Sequence, residues 1–85
     1  MKIRTGDYIV WYGSDTKTGQ FGFCRPVGTG MEVLRYPDGD DKDYASFLKH
    51  EADFLRLAMI IASTHGLIAK HVHIFGDYTA AQFTQ

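Results

Sequence analysis

Residues 42–65 read KDYASFLKHEADFLRLAMIIASTH, and their periodicity decides the fold class. Wound at 100° per residue, Tyr44, Phe47, Leu48, Phe54, Leu55, Ala58, Met59, Ile61 and Ala62 fall on one half of a cylinder. Lys49, Asp53 and Arg56 fall opposite, with Ser46 and Thr64 beside them. The spacing predicts one long helix from about Lys42 to His65. The acidic run Asp38, Asp40, Asp41 and Asp43 leads into it, where exposed amides and the helix dipole favour carboxylates. Gly66 suits the C′ position, with Leu67 placed to touch Ala62 across the cap. Two features break the pattern. Glu51 sits near the middle of the apolar arc, and Leu57 and Ile60 sit on the polar side.

Upstream, three short segments have strand character. Asp7–Tyr12 is rich in aromatic and β-branched residues, with Tyr8, Val10 and Tyr12 on one face and Ile9 and Trp11 on the other. A polar loop, Gly13–Gly19, leads to a second strand in which Phe21 and Phe23 share a face opposite Gly22 and Cys24. Pro26 puts the end of that strand at an edge or terminus. Gly28-Thr29-Gly30 is a turn signal, and Met31–Tyr36 makes a third strand, so residues 5–36 read as an antiparallel meander. Downstream, Leu67–Phe75 reads as a fourth strand, with Leu67, Ala69, His71, His73 and Phe75 on one face. Gly76-Asp77 stops it. Residues 77–85 read as a polar tail, either loose or a short helix capped by Asp77. The expected fold is a single α+β domain over 1–85: a small antiparallel sheet of the meander plus the later strand, packed by one long helix. A small SH3-like barrel of residues 5–37, with the helix appended, is the alternative.

Eighty-five residues bury only about 60–65% of the unfolded surface. Nine basic and ten acidic residues leave a net charge of −1, which argues against a strongly electrostatic binder of nucleic acid or membrane surface. The single cysteine, Cys24, excludes an internal disulfide and a four-cysteine zinc site. Met1–Asp7 has no apolar run behind its charges, and the longest apolar stretch, Leu57–Ala62, is far short of the ~20 residues that span a bilayer. A reducing, cytoplasmic setting with no membrane contact is expected.

Several residues could carry chemistry, and each has a plain structural alternative. Glu51 in an apolar arc is costly unless paired or protonated. Its stem can equally lie on the core edge with its head in water or on Arg25 or Arg35. His71 and His73 project the same way from one strand and could reach one metal, with Glu51 or Asp77 adding an oxygen ligand. No third ligand stands at motif spacing, so both are expected to be surface or partly packed. Cys24 is more simply a small buried hydrophobe than a thiolate. Asp38–Asp43 departs from a calcium loop, since Lys42 falls where a ligand is needed. No P-loop or nucleophile elbow occurs. No cofactor is expected.

Trp11-Tyr12, Lys17 and Phe21-Gly22-Phe23 resemble the Trp-Phe … Lys-Gly-Phe-Gly-Phe surface of cold-shock domains, which implies stacking of single-stranded bases on the sheet. The chain departs from that family: seven residues separate Gly13 from Phe21, a Val-Phe-Val-His-Phe strand has no counterpart, and a five-stranded barrel has no long helix. Residues 1–36 carry five basic against three acidic side chains, while residues 37–53 carry two against six, so the sheet would sit beside an acidic corner that repels phosphate.

Three functions follow in order of expectation. The first is a non-catalytic module acting through protein–protein contact, with another protein or with a second copy of itself. Leu57, Ile60, Trp11, Tyr12, Phe21 and Phe23 would be its contact residues, because surplus apolar surface marks interfaces. Small motif-free domains of this kind serve bacteria and phages as accessory or inhibitor proteins. The second is a single-stranded nucleic-acid binder using the same aromatics, with Lys17 and Arg25 on phosphate. The third is a small metal-dependent enzyme centred on His71, His73 and Glu51.

Overall fold

Tyr8–Tyr12 forms β1, Gly19–Val27 forms β2 and Gly30–Arg35 forms β3. In the computed structural model residues 2–12, 19–35, 47–48, 51–74 and 78–85 are described, with backbone alone at 12, 19–20, 47–48 and 51. β1 pairs antiparallel with β2, setting Ile9 against Phe23 and Trp11 against Phe21. β2 pairs with β3 across a shift after Phe23: Phe23 faces Arg35, whereas Cys24 faces Val33. Leu34 is thus an extra residue on β3, a bulge that bends the strand.

Phe47–Leu48, expected inside the helix, forms a two-residue strand, β4, paired with Gly19–Gln20. Two adjacent apolar residues suit a helical arc and a strand alike. Here β2 is paired with β3 only from Phe23 onward, and β4 takes the same side of β2 at its start. The helix, α1, therefore spans Glu51–Thr64. Its end follows expectation. Gly66 has φ 70°, Leu67 N–H donates to the Ala62 carbonyl at 2.8 Å, and Gly66 N–H donates to the Ser63 carbonyl at 3.0 Å. This paired cap satisfies two terminal carbonyls with glycine in the left-handed region.

β5, Ile68–Ile74, matches the fourth expected strand. The supposed tail is the main correction. Tyr78–Thr84 is a strand, β6, inserted between β1 and β5. Its alanines have low intrinsic strand preference, yet the site is a crowded sheet centre where tertiary packing outweighs propensity. The sheet order is β3-β2-β1-β6-β5, all antiparallel, with β4 beside β2. The sheet is open, with β3 and β5 at its edges, and among the described residues no pairing closes it into a barrel.

α1 lies on one face. Phe54, Ala58, Ile61 and Ala62 follow the i, i+4, i+7, i+8 rule and are buried against Ile9, Phe21, Phe23, Ala81 and Phe83. The contact stripe is narrower than the half-cylinder in the sequence. Leu55 and Leu57 flank it, packed on the same core. Met59, expected inside, is 62% exposed and lies beside Ile60 at 56%.

Candidate protein-contact surface

The aromatic residues are mostly not on the surface. Phe21 and Phe23 are fully buried under α1, their rings edge to face at 5.9 Å. Trp11 is half-buried and stacks on Phe54 at 6.1 Å with planes 18° apart. Its indole Nε1 is buried and has no acceptor among the described residues. The Arg35 guanidinium lies over the Phe21 and Phe23 rings at 5.6 and 5.8 Å. One face of a two-layer α+β fold must be covered, and these rings belong to the covered face. Phe21 and Phe23 therefore present no base-stacking platform or contact surface. Leu57 is likewise held against the core, whereas Ile60 stands in solvent. The side chains of Tyr12 and Glu51, and Lys17, Asp38, Asp40, Asp41 and Asp43, lie outside the described residues.

Arg25, offered above as a phosphate or Glu51 contact, is committed to Asp7. Its Nε and Nη2 donate to the Asp7 carboxylate at 2.8 and 3.0 Å, and Arg4 N–H donates to the same carboxylate at 2.8 Å. Asp7 is buried. A buried carboxylate needs this kind of satisfaction, and the pair pins the start of β1 to β2.

Cys24 is buried on the sheet face away from α1. Burial, with the Asp7 carboxylate adding to it, pushes the thiol up to about 11 from 9.0. The thiol is neutral at physiological pH, so it is no activated nucleophile. Because the folded state raises this pKa, Cys24 contributes its full stability below pH 9.0 and loses it as pH rises toward about 11. We expect Cys24→Val to flatten this alkaline decline. Melting midpoints at about pH 8 and pH 10 should diverge less in the variant than in the parent protein. Parallel declines would show that Cys24 does not titrate in this way.

His71 and His73 lie side by side on the α1 side of β5, ring centroids 5.1 Å apart, and both are exposed. Among the described residues no cluster of three or more His, Cys, Asp or Glu could hold a metal ion.

What sequence patterning missed is the opposite sheet face. Val10, Cys24 and Ala80 form a small buried centre there, ringed by half-buried Tyr8, Met31, Val72 and Ile74. Strand alternation places Val33, Ile68 and Tyr78 on this same face, exposed by 49%, 61% and 44%. No described helix packs over it, since α1 lies on the other side. Placing β6 was the missing step, because without it Ala80 and Tyr78 have no face to belong to.

No family model matches the chain, and neither a curated protein nor a solved structure matches it. Among the described residues, no helix is long and apolar enough to cross a membrane.

Proposed function

We propose that this chain is a small cytoplasmic, non-catalytic binding module of accessory or inhibitor type, acting through protein–protein contact. One observation carries this: on the sheet face away from α1, Tyr8, Met31, Val33, Val72, Ile74 and Tyr78 lie around the buried Val10, Cys24 and Ala80, with Gln82 and Lys70 bordering this apolar area toward Ile68. Contiguous exposed apolar surface on a small domain marks an interface. The half-buried ring around a buried centre gives it the pattern of an interface core. The neutral, buried Cys24 suits a reducing compartment.

Site-specific photo-crosslinking tests this in the native cell. A photoreactive residue at Tyr78 should form defined protein adducts, and one at Arg56, on the solvent face of α1, should not. Equal labelling from both positions, or none from Tyr78, would contradict the proposal.

A further inference from the structure

We propose that His71 and His73 form a surface site for a divalent metal ion of the zinc class, each ring giving one nitrogen and water completing the shell. Both side chains stand on the α1 side of β5, away from the apolar sheet face, so the site is independent of the contact function proposed above.

The strand supplies the spacing. β5 pairs with β6 through seven successive residue pairs without a shift, which fixes the backbone under both histidines. Residues two apart on such a strand project to one side about 6.7 Å apart. The two rings lean toward each other, to 5.1 Å between centroids, with planes tilted by 47°. A zinc-bound imidazole has its nitrogen about 2.1 Å from the metal and its ring centroid about 3.2 Å away, so two rings at the tetrahedral angle have centroids about 5.2 Å apart. The observed separation meets that requirement without movement of the strand.

The donor set selects the ion. Imidazole nitrogens suit zinc, nickel and copper, whereas calcium and magnesium take oxygen ligands. Cys24, the single thiol, is buried on the opposite sheet face and takes no part. Among the described residues no group of three or more His, Cys, Asp or Glu is placed to hold a metal, so the pair makes an open, exchangeable site rather than a closed structural one. Coordination takes one nitrogen from each ring. The second nitrogen serves the hydrogen bonds that set a ligand's tautomer and orientation, so the further contacts of His71 are compatible with the site.

Titration of the full chain with Zn²⁺, followed through the histidine ring signals by nuclear magnetic resonance, tests the proposal. The signals of His71 and His73 should move together. Those of His65, whose Nδ1 lies 2.9 Å from the Ile61 carbonyl oxygen, should stay in place. Acidification from about pH 7.5 to about pH 5.5 should release the ion, because a protonated imidazole is no ligand. By calorimetry, His71→Gln and His73→Gln should each weaken Zn²⁺ binding at least about tenfold, with circular dichroism unchanged because both rings are exposed. A parent chain whose His71 and His73 signals do not respond to excess Zn²⁺ overturns the proposal, and this readout holds even if a variant fails to fold. A folded variant that binds like the parent overturns it too, as does an equal response at His65.

Discussion

Phe54→Ala should cost about 3–5 kcal/mol, the usual loss on truncating a buried phenylalanine. Phe54 is fully buried at the centre of the α1 stripe and stacks on Trp11. The variant loses the transfer free energy of the ring and leaves a cavity between helix and sheet. A domain of this length holds only about 4–13 kcal/mol in total, so much of its stability goes. The melting midpoint should fall by at least about 15 °C. Emission from Trp11, the single tryptophan, should shift red as its stacking partner disappears. A fall below about 5 °C would mean that α1 is not seated by this residue.

The second large effect is at Asp7. Asp7→Ala removes a buried carboxylate that accepts from Arg4 N–H and from two nitrogens of Arg25. Hydrogen bonds to charged groups are the stronger kind, and breaking a buried ion pair leaves the remaining groups unsatisfied. The expected loss is about 2–4 kcal/mol in urea unfolding, with the slope unchanged. The same linkage makes Arg25→Ala more damaging than its exposure suggests, because it strands the Asp7 carboxylate. A change for Asp7→Ala within about 0.5 kcal/mol, as for an ordinary surface site, would show that the pair contributes little.

The fold class, the first three strands and the strand around Ile68–Ile74 were legible because period-two alternation and turn residues mark them locally. Gly66 as the helix cap was legible for the same reason. The helix start was not. Phe47 and Leu48 continue the apolar arc, and only pairing with Gly19–Gln20, distant in sequence, makes them a strand. β6 was hidden by Ala80 and Ala81, which read as helix or tail. A signal was present: Gly76-Asp77 between two runs is a hairpin pattern, and Thr79, Ala81 and Phe83 alternate in step. Without β6 the outer sheet face could not be drawn. The surplus aromatics therefore looked like surface, although Phe21 and Phe23 lie beneath α1. The proposed contact residues shift accordingly, from those rings and Leu57 to Val33, Ile68 and Tyr78.

Size profiling of the protein in its native cell extract tests most directly whether the outer sheet face is a contact surface. The account predicts that the parent chain migrates in a complex larger than itself, and that a Val33→Lys/Tyr78→Lys double variant, folded by circular dichroism, migrates alone. A parent chain that migrates alone, or a folded double variant that stays in the same complex, would contradict it.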